Sequence, residues 1–303
     1  MKAEGKQLNL SIVIPVYNRQ EGLNNLLTEL SKSVLTGGFN DQIEVIVVDD
    51  GSDESIGLSG DLPFPVQLVR NNKNSGAPYS RKKGYQLSKG MFVHFHDSDD
   101  SITDQWLSDV LDELKDNSEI DLLLTGRLVY EDGACKDHYQ KFCHQHANQV
   151  HKIAYRLVYQ NCIGPLGGVT FSRKVLEKVT FKQLSACQDW QMYLDVIDSS
   201  TVFDSLPDTY FIFNKTGADR ISHNPRKKIL GHLQLARITA NKSIIKKNIR
   251  LFYLYACKQQ VFTKGGSMLR FYKRKYPKII IIYLLVNTYW RLTEIYLGSI
   301  KDD

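Results

Sequence analysis

The segment FVHFHDSDD (92 to 100) runs an apolar stretch straight into three carboxylates, Asp97, Asp99 and Asp100. Like charges this close raise each other's pKa unless a cation compensates. An Asp-x-Asp pair sets two hard oxygen donors on one side of a turn, which suits Mg2+ or Mn2+ and leaves coordination positions for phosphate oxygens and water. A competing use is local, with Asp99 or Asp100 capping a helix expected to begin near Thr103, and Thr103 itself is expected as a cap of that helix. Two further apolar runs end in polar residues, one in Pro15-Val16-Tyr17-Asn18-Arg19 and the other in Asp49-Asp50-Gly51-Ser52. Open parallel sheets bind ligands beyond the carboxyl ends of their strands, so these ends are the first place to look for a site.

A second group of chemistry-bearing residues lies in the stretch from Val129 to about Asn161, with Cys135, His138, Cys143, His144, His146 and His151. The order matches no usual zinc-ligand spacing and no C-x2-C pair exists, so a loop facing an acceptor is expected rather than a zinc site. G-x-G-x-x-G, Walker A, H-E-x-x-H and G-x-S-x-G are all absent, which argues against dehydrogenase, NTPase, zincin and α/β-hydrolase chemistry.

The elements that must position these residues alternate. Short β-branched runs at 10–16, 43–48, 65–69, 91–96 and 121–126 read as buried strands, and 21–34, 77–89 and 104–115 carry apolar residues at helical spacing. Further strands are expected at 168–171, 201–203 and 210–213, and a helix over 189–197. This is the pattern of an α/β, doubly wound, mostly parallel sheet. The chain has 303 residues, 42% hydrophobic and 24% charged, which fits a folded globular protein. Its opening residues contain too short an apolar stretch for a signal peptide, and five scattered cysteines suit a reducing cytoplasm.

Taken in order, SIVIPVYN (11 to 18), VVDDGS (47 to 52), NNKNSGAPYSRKKG (71 to 84), FVHFHDSDD, GGVTFSRKVLEK (167 to 178) and CQDW (187 to 190) resemble the family 2 glycosyltransferases. The resemblance covers roughly residues 8 to 220. It implies the GT-A fold, a Rossmann-like sheet, and an inverting enzyme that uses a nucleotide-diphosphate sugar and a divalent cation. It also implies roles. Pro15, Tyr17 and Asn18 would hold the nucleotide base, and Asp50 would accept a hydrogen bond from it, favouring UDP donors. Arg81, Asp97 and Ser98 would bind the donor, Asp99 would ligate Mn2+ or Mg2+ with help from His223, and Asp189 would be the catalytic base. Two departures stand out. Ser80 and Lys82 flank Arg81 where the family has other neighbours, and Gln188 replaces the first acid of the family's Glu-Asp pair. A helix N-terminus at Asp189 is expected to keep its carboxylate ionised.

Charge divides the chain near residue 224. From Asn224 onward 17 Lys and Arg face three acids, a balance of +14, which leaves −8 for the first 223 residues. The expected organisation is a GT-A domain over 1–223 and a basic helical C-terminal region over 224–303. An uninterrupted apolar core of eight residues, Ile279 to Val286, is too short to span a bilayer, for which about 20 are needed. With its interleaved Tyr and Trp, the region suits either an anionic membrane surface or packing on the main domain or a second copy of the chain. The expected acceptor is a saccharide, carried on a lipid at the inner membrane face, in bacterial surface-polysaccharide synthesis. The rivals are a sugar nucleotidylyltransferase, disfavoured because PVYNRQEG is not a glycine- and arginine-rich loop, and a non-catalytic nucleotide-sugar-binding protein. Nucleic-acid binding by the tail lacks any recognition motif.

Overall fold

The computed structural model describes residues 8–131, 134–137, 141–157 and 161–215, with 227, 231, 234 and 235 besides. His223, His138 and nearly all of the expected basic region lie outside the described residues. The chain divides into two compact units, one comprising 1–157, 161–183 and 188–217, the other 158–160, 184–187 and 218–303. In the second, the Ser185 N–H donates to Gln234 Oε1 at 2.8 Å. The first unit holds the sheet and the helices that cover it.

Its sheet begins with four parallel strands in the spatial order β3 (Val66–Arg70), β2 (Ile43–Asp49), β1 (Leu10–Val16) and β4 (Phe92–Phe95). β1 and β2 are almost wholly buried, because both faces are covered. On one face Ile12, Ile14, Val45 and Val47 pack against the apolar stripe of α1 (Gln20–Gly37), formed by Leu23, Leu26, Leu27, Leu30 and Val34 at helical spacing, and against Trp106 of α3 (Trp106–Asp116). On the other, α2 (Ala77–Leu87) comes so close that a Cβ on Gly84 would sit 2.2 Å from Val13 Cγ1.

The second half of the sheet is mixed. β8 (Val169–Ser172) lies antiparallel between β4 and β6 (Leu122–Glu131), β6 runs parallel to β9 (Phe203–Asn214), and β5 (Ser101–Ile102) closes the edge antiparallel to β9. β7 (Ala134–Asp137) pairs with β6, and α4 (Lys141–Gln145) and α5 (Val150–Leu157) follow, so the stretch expected to be a loop facing an acceptor holds a strand and two helices. After β8 come α6 (Arg173–Leu176) and α7 (Gln188–Val196).

Two further expectations need correction. The runs expected at 201–203 and 210–213 join in one strand, since β9 starts at Phe203, with 201 and 202 outside it, and is continuous through Pro207 and Asp208. The pairing with β6 jumps from Thr125↔Leu206 to Gly126↔Tyr210, so the residues between the two expected runs form a bulge inside the strand. Thr103 does not cap α3. Its hydroxyl donates to the Tyr210 carbonyl at 2.9 Å, and the helix starts after Gln105 with no side-chain cap.

Candidate active site

The register Val16↔Asp49 sets the carboxyl ends of β1 and β2 level, while β4 ends earlier, at Phe95 opposite Val13, and the chain runs on through His96 into the Asp97–Asp100 turn. Ligand oxygens of Asp97, Asp99 and Asp100 lie within 4.8 Å of one another, the one such cluster of His, Cys, Asp or Glu among the described residues. Other elements hold the turn. Asn214, at the end of β9, donates its backbone N–H to Asp100 Oδ1 at 3.1 Å and its amide to the Asp99 carbonyl at 2.9 Å. The N-terminus of α1 presses on it at Gly22, where a Cβ would lie 2.4 Å from the Ser98 carbonyl oxygen. That approach lets Arg19 form an ion pair with Asp99.

Asp97 has its own arginine. Arg81, nearly buried on α2, places Nη2 2.6 Å from Asp97 Oδ1 and donates from Nη1 to Gln188 Oε1 at 3.3 Å. The two guanidinium groups are what allow three carboxylates to share one turn. An all-oxygen donor set fits Mg2+ or Mn2+, and Arg19, a third exposed, is the partner that an arriving cation would displace from Asp99. Beneath the turn, His94 and His96 are buried and linked at 3.2 Å, and His94 meets Thr170 Oγ1 at 3.1 Å. Burial holds both imidazoles neutral, with His96 lowered to about 4.

Asp189 opens α7, as expected, but its expected low pKa is overturned. Burial raises it to about 6, outweighing the Trp190 N–H bond and the nearby Arg81, which both lower it, while Asp97 adds to the rise. Removal from water costs the carboxylate more than the helix terminus returns. Its Oδ1 accepts from the Trp190 N–H and its Oδ2 from Asn161 Nδ2, both at 2.8 Å. One turn on, Tyr193 is fully buried, and its hydroxyl has no hydrogen-bond partner among the described residues. Burial and the Asp189 charge push that hydroxyl well above its ordinary range. Arg127, whose pKa burial lowers while Tyr193, Asp100 and Asp189 support it, completes this polar interior.

The base-binding residues are spread differently. Tyr17 is 41% exposed at the end of β1, beside half-buried Pro15. Asn18 takes a left-handed φ of 52° and clasps the next loop, its Oδ1 accepting from the Asp53 N–H at 2.8 Å and its Nδ2 donating to Asp53 Oδ2 at 2.9 Å. Asp50, only 4% exposed, is heavily engaged by the chain. Oδ1 accepts from Asn71 Nδ2, the Ser75 N–H and Ser80 Oγ, and Oδ2 from the Gly76 N–H. A base could use only what remains at Oδ2. Ser98 is buried, with its carbonyl against α1.

Residues 11–180 match the sequence profile of Glycosyl transferase family 2. The chain belongs to that family. A relative described as an uncharacterized glycosyltransferase of Haemophilus influenzae is 35% identical over 114 residues, 38% of this chain and 37% of its own length. The Staphylococcus aureus poly(ribitol-phosphate) beta-N-acetylglucosaminyltransferase TarP is 28% identical over 119 residues, 38% of this chain and 35% of its own. The chain thus spans about a third of these two relatives. Among solved structures, S. aureus TarS 1-349 in complex with UDP-GlcNAc superposes with a TM-score of 0.63 at 18% identity, covering 91% of this chain and 79% of TarS. This likeness shows the GT-A fold. The family motifs could not point to Arg19, Arg127, Asn161 or Tyr193. Of these only Arg19 carried a signal, standing next to Asn18 at the end of the first strand.

Proposed function

We propose that this family 2 glycosyltransferase is an inverting, metal-dependent enzyme that moves a hexosyl or N-acetylhexosaminyl group from a UDP-sugar to a saccharide hydroxyl of a surface polymer. One observation carries the reading: Arg81 ties Asp97 of the acidic turn to Gln188, the neighbour of Asp189, so a metal-and-diphosphate end and a base end belong to one site. Support for the donor comes from TarS, crystallised with UDP-GlcNAc, and support for a polymer acceptor from the name of TarP.

Asp99, with Asp97 and Asp100 beside it, would hold Mn2+ or Mg2+, which when bound supplies positive charge to the departing nucleoside diphosphate. Asp189 takes the proton of the acceptor hydroxyl. The acceptor oxygen bonds to the anomeric carbon as the bond from that carbon to the diphosphate oxygen breaks, and a single displacement inverts the configuration. Arg81 keeps Asp97 in place and adds a buried positive charge between the two ends. Tyr17 offers a ring face for the base. His223 as a further metal ligand lies outside the described residues and remains part of the proposal.

The loss of one acid at Gln188 favours a second reading, a binding protein without catalysis. Asp189→Asn separates the two. In a Mn2+-supplemented assay of UDP release from UDP-sugars, transfer or hydrolysis should fall by about 10²–10⁴-fold while donor affinity by calorimetry is kept. Metal-dependent donor binding with no turnover of any UDP-sugar would favour the binder.

A further inference from the structure

Asn161 belongs to no motif, yet its side chain is almost fully committed. Oδ1 accepts from the Gly164 N–H at 3.0 Å, while Nδ2 donates to the Gly164 carbonyl at 3.1 Å and to Asp189 Oδ2 at 2.8 Å. Simple chemistry decides which end of the amide faces which partner. The Gly164 N–H can only donate, so Oδ1 must face it and the NH2 group must face Asp189. Gly164 has a φ of 104°, which L side chains rarely adopt, so the turn that presents Asn161 requires glycine.

The segments on either side are anchored. Cys143 Sγ on α4 donates to the Cys162 carbonyl at 3.1 Å, and Trp190 Nε1, from the residue after Asp189, donates to the Leu157 carbonyl at 2.7 Å. The terminal torsion of an aspartate is broad, so a carboxylate plane is fixed only by what its oxygens bond. Here each oxygen has one fixed donor, the Trp190 N–H on Oδ1 and Asn161 on Oδ2.

We propose that Asn161 is the positioning residue of the transfer reaction: its side-chain amide sets the plane of the Asp189 carboxylate and presents the free lone pairs to the acceptor hydroxyl. The inference rests on the reading of Asp189 as the base. Asn161 touches neither donor nor acceptor in this scheme and acts through Asp189 alone.

The test needs no substrate. In the full chain labelled at aspartate 13Cγ and asparagine side-chain 15N, the Asp189 carboxyl signal is identified by its loss in Asp189→Asn. The Asn161 amide protons should shift with the same pH midpoint as Asp189, because they report its ionisation through the hydrogen bond. Asn161→Ser keeps an acceptor for the Gly164 N–H but loses the donor to Asp189, and should raise the Asp189 midpoint by about half to one unit. Asn161→Asp preserves shape but turns a second carboxylate toward the first, and should raise it further. A merely structural Asn161 would change thermal unfolding and leave the midpoint alone. Asn161 amide signals indifferent to Asp189 ionisation, or an unmoved midpoint in either folded variant, would overturn the inference. Loss of the base reading looks different: UDP release unaffected by Asp189→Asn, whatever the midpoints do.

Discussion

At the scale of single residues the site is a matter of which charge is compensated by what. Asp189 is held by two hydrogen bonds, yet burial lifts its pKa to about 6. A general base must be deprotonated to act, so transfer should rise with pH through about 6 and level off above it, read as kcat against pH at saturating donor. The same shift acts on stability with the opposite trend. The folded pKa lies above the unfolded one, so the folded chain binds the proton more tightly and Asp189 subtracts stability as pH rises from about 4 to 6. That loss is about 3 kcal/mol, and Asp189→Asn should remove this part of the slope in urea titrations run across the window. The Arg19–Asp99 pair is the second residue-scale case. A partly exposed pair is worth about 0.5–1 kcal/mol, so Arg19→Gln should tighten Mn2+ binding about two- to fivefold, whereas Asp99→Asn should abolish it. Calorimetry with Mn2+ on both variants checks this, and weaker binding in Arg19→Gln would mean that the arginine supports the cation site rather than competes for it.

At the scale of elements, the parallel half of the sheet was legible because β1, β2 and β4 are β-branched or aromatic runs that end abruptly in Asp, Asn or Gly, and α1 carries leucines at helical spacing. The mixed half was harder for physical reasons. Leu206-Pro207-Asp208 has turn chemistry, and only pairing with β6 converts it into a bulge inside β9. The same pairing requires Gly126, where a Cβ would lie 2.7 Å from both the Pro207 carbonyl and the Tyr210 ring. Asp50 shows why a correct motif can still hide a residue's main bonds: its donors come from 21 to 30 positions downstream. A Thr before an apolar helix looks like a cap, but the Thr103 hydroxyl turns to donate to the Tyr210 carbonyl of β9 and the helix starts only after Gln105, without a side-chain cap. Contact between α1 and the acidic turn gives an element-scale test. Gly22→Ala drives a methyl toward the Ser98 carbonyl, so the helix or the turn must move. Overpacking of this kind costs about 1–3 kcal/mol, and because the turn carries Asp97 and Asp99 the loss of stability should be accompanied by weaker Mn2+ binding. Denaturant midpoints and metal titration on the same protein would show both, and unchanged metal affinity would separate the turn's geometry from the helix above it.

At the scale of the whole molecule, the charge split is the feature that the described residues leave untouched, since the expected basic region falls almost wholly outside them. Among the described residues no helix is long and apolar enough to cross a membrane. A balance of +14 beyond residue 223, interleaved with Tyr276, Tyr283, Tyr289 and Trp290, is still suited to an anionic surface. Juxtamembrane lysines and arginines contribute about 1 kcal/mol each near such a surface, and that contribution fades within a Debye length, about 10 Å at 0.1 M salt. The full chain should therefore sediment with phosphatidylglycerol-containing vesicles at low salt, be released as salt rises, and ignore neutral phosphatidylcholine vesicles. Reversing one basic cluster, Lys273→Glu with Arg274→Glu and Lys275→Glu, should weaken the association by at least tenfold. It should leave metal-dependent donor binding unchanged, because the donor and metal residues assigned above precede that cluster by 50 positions or more. Vesicle binding that survives high salt would point to apolar insertion instead of charge. Failure of the unmodified chain to bind at low salt would leave the basic region to protein packing, and size-exclusion chromatography at rising concentration would then look for a second copy as its partner.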